Sequence, residues 1–426
     1  MTMQTIGCIG PRVELLQLAL LRAGADRALT VDGIFGHLTF DALKRFQTRA
    51  GLKPDGVAGR QTWHALTPYL TGYFRHTIRP GDTLLRLAEK YNTTLAAIET
   101  ANPGINPLSL KGFRRIIIPL GFPVVPTTVS FTSQVLRYCL LGLAARYPFL
   151  RISSLGRSVM GREISCISIG HGSNHVSYNA AHHANEWITT PLILNFIEDY
   201  ASAYSARAKL RGADARALFE LTTLHAIPMV NPDGVDLATG ALTLGKFYDN
   251  AKLLAEKYQI PFPSGWKANI SGIDLNLQYP AGWERARDIK ATQGFTDLAP
   301  RDYPGPIPLT APESRAMYDF TMRGKPALTL SYHTQGEVIY WKYLDYEPPN
   351  SHEIAQKFGS ASGYAVEETP YESGFAGYKD WFIEAFNRPG YTIEAGLGQS
   401  PLPLAHFDEI YARNIDILTL GLSVTL

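Results

Sequence analysis

Five short apolar runs constrain this chain more than any other feature: Ile164–Ile169, Val176–Ala180, Leu224–Val230, Ala327–Tyr332 and Tyr391–Ile393. Four of them lead directly into polar residues. The second is followed by His182-His183-Ala184-Asn185-Glu186, the third ends at Asn231-Pro232-Asp233-Gly234, the fourth at His333 and the last at Glu394. Short apolar runs bounded by turn or polar residues read as buried strands. Their alternation with helical runs through residues 123–426 reads as an α/β sheet protein. In open sheets of that class ligands bind beyond the carboxyl ends of the strands, so these polar residues are expected at one edge of one sheet.

Their chemistry suits a metal hydrolase. Two histidines and a glutamate can hold Zn²⁺ and leave a fourth position for water. His183 and Glu186 are close enough in sequence for one tight turn to aim both at an ion, and His333 closes the set from a distant strand. Spacing alone leaves His182 able to face the same ion. Bound zinc lowers the pKa of its water and polarises a carbonyl. A further carboxylate must then take the water proton and pass it to the leaving amine; Glu394, at the end of its strand with glycines after it, is the candidate.

The front of the chain carries an internal repeat. Asp32-Gly33-Ile34-Phe35-Gly36 leads to Thr39-Phe40, and Asp55-Gly56-Val57-Ala58-Gly59 leads to Thr62-Trp63. Asp-Gly pairs form turns because Asp bonds locally and Gly accepts positive φ. The threonines are placed to accept N–H groups near helix starts. Helices are expected at Val13–Ala23, Phe40–Thr48 and Trp63–Leu66. From Tyr73 to Leu120 the order is strand, turn at Pro80-Gly81-Asp82-Thr83, two helices and strand, with Asp82 or Thr83 capping the first helix. Residues 121–128, with Pro123 and Pro126, are expected to be an extended, semi-rigid spacer.

Composition excludes several classes. With 45% hydrophobic and 18% charged residues the chain can bury a sizeable core, and a formal charge of +2 without like-charge blocks argues against nucleic acid as a partner. No stretch reaches the ~18 apolar residues of a membrane span. Met1–Gly10 lacks the pattern of a secretory signal. Cys8, Cys139 and Cys166 are odd in number and widely spaced, which argues against a disulfide framework or thiolate metal site.

Three resemblances follow. The repeat, with Leu16-Gln17 and Phe46-Gln47, resembles the three-helix peptidoglycan-binding domain of wall hydrolases (residues 1–72). His76–Leu84, Asn102-Pro103-Gly104 and Ile116–Pro119 resemble a βααβ LysM module (residues 73–122), which implies binding to N-acetylglucosamine-containing glycans. In residues 123–426, Gly156–Arg162, His183-Ala184-Asn185-Glu186-Trp187, Asn231-Pro232-Asp233-Gly234 and Gly272-Ile273-Asp274-Leu275-Asn276 are similar to successive motifs of the zinc carboxypeptidase family. The resemblance implies a mixed sheet with helices on both faces, with zinc on His183, Glu186 and His333 and with Glu394 as the proton carrier. It further implies Asp274 behind a zinc-bound histidine, Lys267 polarising the scissile carbonyl where the family usually has arginine, and Tyr371 (or Tyr378) as the mobile tyrosine. Asn276 and Asn185 would contact substrate.

Two departures bear on the substrate. Carboxypeptidases use arginine after the asparagine to grip a terminal carboxylate; here that residue is Leu277, and Asn185 replaces a second substrate-contacting arginine. Arginine's fork is the usual device for gripping carboxylates. With Trp266-Lys267-Ala268-Asn269 and Tyr391–Gly396 the chain resembles instead the γ-D-glutamyl-diamino acid peptidases, which cut peptidoglycan stem peptides. The front-module resemblances imply a sporulation or cell-wall role, at the wall or on the spore; the N-terminus without a signal pattern leaves action in the mother cell or cytoplasm open. A conventional metallocarboxypeptidase and a non-catalytic wall-binding protein are the rival readings.

Overall fold

In a computed structural model describing residues 3–26 and 28–425, the chain divides into two compact units, one formed by residues 1–130 and 134–151, the other by 131–133 and 152–426. The first two residues of the Met1–Gly10 stretch lie outside the described residues.

The first unit begins with three helices, α1 (Pro11–Arg22), α2 (His37–Arg49) and α3 (Arg60–Thr71), longer than the apolar periodicity implied. Gly33 and Gly56 adopt the positive φ expected of the two turns, each +71°. The threonines do something other than capping. Gly36 and Gly59 occupy the N-cap positions without side-chain caps. Thr39 and Thr62 lie inside the helices, and each hydroxyl accepts from a buried glutamine, Gln17 Nε2 at 3.0 Å and Gln47 Nε2 at 3.2 Å. The same amides bond Asp32 (2.7 Å) and Asp55 (3.0 Å), so each glutamine ties a turn to the following helix.

Strands β1 (Tyr73–Thr77) and β2 (Arg115–Pro119) pair antiparallel around helices α4 (Leu84–Lys90) and α5 (Leu95–Ala101). Thr83, not Asp82, caps α4 by accepting from Arg86 N; Asp82 instead accepts from Arg79 N at 2.7 Å and pairs with His76 at 2.9 Å. The Pro-rich segment after β2 is no free spacer. Val124 and Val125 are buried, Arg22 donates to Pro123 O, and Arg146 of helix α6 (Ser133–Arg146) donates to Leu120 O and Phe122 O. Two valines with nowhere else to leave water draw the segment onto its own unit.

The second unit is built on an eight-stranded sheet. Its strands are β3 (Arg151–Arg157), β4 (Glu163–Ile169), β5 (Asn174–Ala180), β8 (Thr222–Ile227), β9 (Leu328–His333), β10 (Val338–Tyr340), β11 (Ala365–Glu367) and β12 (Gly390–Glu394). A separate small hairpin, β6 (Lys209–Leu210) and β7 (Ala213–Asp214), stands apart from it. The order across the sheet is β11-β10-β12-β9-β5-β8-β4-β3. The five apolar runs are β4, β5, β8, β9 and β12; the edge strands β3 and β11, and short β10 next to β11, are more exposed and carried no apolar signal. β12, β9, β5 and β8 are mutually parallel neighbours, whereas β4 and β10 run against them, so the sheet is mixed.

Helices cover both faces. On β5, Tyr178 points at Phe196 of α7 (Thr189–Ala206) and donates to Leu418 O of the helix Phe407–Leu420. Its neighbour Ser177 faces Tyr378 of the helix Tyr378–Phe386 on the other side. Period-two alternation on a central strand buried on both faces requires this. Cys8, Cys139 and Cys166 form no disulfide with one another. No helix among the described residues is long and apolar enough to cross a membrane.

Candidate metal centre

Parallel β5, β8, β9 and β12 finish at the same edge, so the residues following them are brought together. Register makes this exact for two of them: His333 of β9 and Glu394 of β12 are cross-strand partners. After β5 the backbone turns at Ala181 (φ 51°) into a single 3₁₀ turn, Ala184–Glu186. Thr189 holds that turn, its hydroxyl accepting from Ala181 N and donating to Glu186 O at 2.7 Å.

His183, Glu186 and His333 are all buried and present ligand atoms that lie within 4.8 Å of one another. The Nδ1 atoms of His183 and His333 are 3.1 Å apart, and Glu186 places one oxygen 2.9 Å from each. The set therefore fits zinc: two imidazole nitrogens and a carboxylate converge from remote stretches of chain, and the other nitrogen of His183 is 3.2 Å from Asp274. A carboxylate on the far side of a ligating imidazole fixes its tautomer. His182, which spacing left open, points elsewhere; its Nε2 lies 3.0 Å from the Tyr279 hydroxyl.

The electrostatics match. Burial works against a charge on His183, but the Glu186 carboxylate, with Asp274 behind, lifts its pKa to about 8. Burial and neighbouring His333 and His183 hold His182 well below the ordinary histidine range. Glu394 is pushed up to about 8, first by burial and then by Glu186. A cation bound between these groups would relieve this crowding of negative charge.

A cavity of about 210 Å³ opens on this cluster, lined among others by His183, His333, Lys267, Asn276, Leu277 and Glu394. Lys267 Nζ stands 3.8 Å from Glu186. Asn276 accepts from Tyr378 N at 3.0 Å. Asn185 is buried with its Oδ1 unpartnered and does not line the cavity. Of the two tyrosines, Tyr378 is buried with its hydroxyl 2.8 Å from Thr321, whereas Tyr371 is 55% exposed on a short turn and accepts from Arg285.

Two motifs are structural. Asn231 donates to His182 O (3.1 Å) and Ala268 O (3.0 Å), clamping the histidine loop to the loop bearing Lys267. Arg162 pairs with buried Asp233 and with Asp236. Sequence reasoning missed the buried Lys379–Asp380 pair and the Lys290, Arg301 and Asp302 cluster, of which Lys290 and Asp302 line the cavity. The only signal was that charged residues fall in segments otherwise rich in aromatic and proline residues.

Comparison with known proteins agrees with this geometry. The zinc carboxypeptidase family model matches residues 137–413, a peptidoglycan binding domain matches 9–66 and a LysM domain 76–119. The two front modules are of kinds associated with the cell wall. Gamma-D-glutamyl-L-diamino acid endopeptidase 1 of Lysinibacillus sphaericus is 44% identical over 280 residues, covering 66% of this chain and 69% of that protein. The uncharacterized protein YqgT of Bacillus subtilis (strain 168) is 40% identical over 277 residues, 64% of this chain and 72% of that one. Bovine thrombin-activatable fibrinolysis inhibitor, solved with tick carboxypeptidase inhibitor, shares the fold at TM-score 0.53 and 17% identity, covering 70% of this chain and 97% of that chain. With its His-Glu-His cluster at the carboxyl edge of the sheet, the chain belongs to the zinc carboxypeptidase family and is a zinc-dependent hydrolase carrying peptidoglycan binding and LysM domains.

Proposed function

We propose that this enzyme hydrolyses peptidoglycan stem peptides at the γ-D-glutamyl–diamino acid bond. In this reading residues 1–72 and 73–122 hold the wall, residues 123–426 cut it, and the enzyme works at the cell wall or spore wall. The observation that carries it is Leu277: an apolar side chain lines the cavity where a terminal carboxylate would need an arginine, beside an intact metal cluster. The relative from Lysinibacillus sphaericus, named for this bond, supports the same choice.

Zinc on His183, Glu186 and His333 supplies an acidified water and a polarised carbonyl. Glu394 takes the water proton and delivers it to the leaving amine; burial and Glu186 raise its pKa in the metal-free cluster, and a cation between these groups would bring it back towards a carboxylate able to accept that proton. Lys267 offers its ammonium to the oxyanion, keeping the charge of the family's arginine without the planar fork. Asp274 orients His183. Tyr371, on the surface turn, closes on bound substrate, and Asn276 contacts it from the cavity wall. Asn185, which does not line the cavity, enters the contact set through the family resemblance alone. Wall binding by the front modules raises local substrate concentration without altering the chemistry.

The test is mass analysis of products from defined muropeptides carrying diaminopimelate or lysine, with and without a chelator. Cleavage between D-glutamate and the diamino acid, abolished by the chelator, is expected. Release of only the C-terminal residue would make the enzyme a conventional carboxypeptidase. Stoichiometric zinc without hydrolysis of any wall peptide would leave a wall-binding protein.

A further inference from the structure

The arginine that grips a terminal carboxylate in the family is replaced by Leu277, yet the cavity is not short of cations. On the side of Lys267 it is bordered by a linked cluster. Asp302 is pinned between Lys290 Nζ at 2.8 Å and Arg301 Nε at 2.6 Å, and its backbone N–H donates to Asp274 at 3.1 Å. Asp274 in turn holds His183. Arg301 is thus tied, through Asp302 and Asp274, to a metal ligand.

The three cations differ in what they have left to offer. Lys290 is buried and already shared between Asp302 and Gln293. Lys267 is drawn towards Glu186. Arg301 is 42% exposed, and its bond to Asp302 uses only Nε. Among the described residues no hydrogen bond engages its terminal nitrogens. Its chain neighbours fix its place: Pro300 O accepts from Lys267 N at 2.9 Å and Asp302 lines the cavity, so Arg301 stands beside Lys267 next to the cavity wall. A planar fork with free donors, held by one edge, is suited to an anion of carboxylate shape.

We propose that Arg301 reads the free α-carboxylate of the γ-linked D-glutamyl residue on the acyl side of the scissile bond. The inference rests on the γ-D-glutamyl reading above. A γ-linked glutamate differs from an α-linked residue in exactly this respect: it carries an unblocked carboxylate a short aliphatic reach from the carbonyl under attack. With that carbonyl between the metal cluster and Lys267, the carboxylate falls on the Lys267 side, where Arg301 stands. Arg301 is therefore a specificity-determining residue, distinct from the proton carrier and the metal ligands.

The experiment compares two soluble peptides, L-Ala-γ-D-Glu-diaminopimelate and its α-carboxamide counterpart, with the full-length zinc enzyme. Wild type should favour the carboxylate by about 10- to 100-fold in kcat/KM, the worth of one charge-assisted pair. Arg301→Gln should bring the two substrates to near parity, with zinc content unchanged, and Arg301→Lys should restore part of the preference. Equal wild-type rates on the two peptides, or a preference that survives Arg301→Gln, would overturn the assignment of Arg301 while leaving the bond specificity standing. If wild type cleaves neither peptide, the γ-D-glutamyl reading falls and the role of Arg301 falls with it.

Discussion

The turns of the front unit and the metal centre both bury polar side chains, but to opposite ends. Gln47 donates to Asp55, Thr62 and Val57 O and accepts from Gly56 N; Gln17 repeats the pattern with Asp32, Thr39, Ile34 O and Gly33 N. Every group finds a complementary partner within its own repeat. At the metal centre two imidazole nitrogens sit 3.1 Å apart and share one carboxylate, and His333 Nε2 is buried without a partner. A closed network of buried polar groups stabilises a shape. Groups of like character converging on a point are costly unless something else completes them, and here that completion is a divalent cation.

The contrast can be broken most severely at the ligands. His183→Ala or His333→Ala should lose stoichiometric zinc and all peptidase activity, read by metal analysis and turnover; a variant that keeps its zinc would leave the ligand set. Glu394→Gln should cut kcat by about 100- to 10,000-fold while zinc and fold persist, and wild-type turnover in that variant would take Glu394 out of the mechanism.

In the front unit the effect should be on stability. Gln47→Ala strands Asp55, Thr62 and Gly56 N, and should cost the unit about 2–4 kcal/mol in denaturant unfolding without changing kcat on a soluble peptide. A change below about 0.5 kcal/mol would show that water replaces the amide freely.

The last prediction, and the sharpest on the comparison, concerns the sign of the pH dependence. Asp32 and Asp55 are held below the usual carboxylate value by backbone N–H groups and by Gln17 and Gln47. Their stabilisation is present above the unfolded pKa and is lost as pH falls through the folded one. Glu394 is shifted the other way, to about 8, so metal-free protein should lose that contribution as pH rises from about 4.5 to 8. Melting curves of apo protein across this range should show the front unit weakening in acid and the catalytic unit weakening towards alkaline pH, with zinc suppressing the second trend. Buried His182 and His333, held below the ordinary histidine value, act in the opposite direction, so the check is the difference from apo Glu394→Gln: an identical pH dependence in the two proteins from about pH 5 to 8 would remove Glu394 from the crowded charge cluster.

Much of this was legible because it depends on neighbours in sequence. The Asp-Gly turns declare themselves through side-chain and backbone chemistry spanning a few residues. The α/β class and the active edge follow from apolar runs that end in His, Asn and Glu. The roles of Thr39 and Thr62 were misread because their partners, Gln17 and Gln47, lie on the preceding helix. The segment after β2 was misread because proline content speaks of backbone stiffness but not of where Val124 and Val125 can leave water.

What the sequence by itself determined is therefore the inventory: a front of peptidoglycan binding and LysM modules, a sheet with metal-binding residues at strand ends, and a leucine at position 277. Only the tertiary structure decided between His182 and His183, because Tyr279 claims one ring and Asp274 the other. It alone buried Tyr378, left Tyr371 outside, and brought Arg301 through Asp302 and Asp274 to the metal site. The physical reason is the same in each case. A side chain's direction is set by the partners that satisfy it, and those partners come from segments far away along the chain.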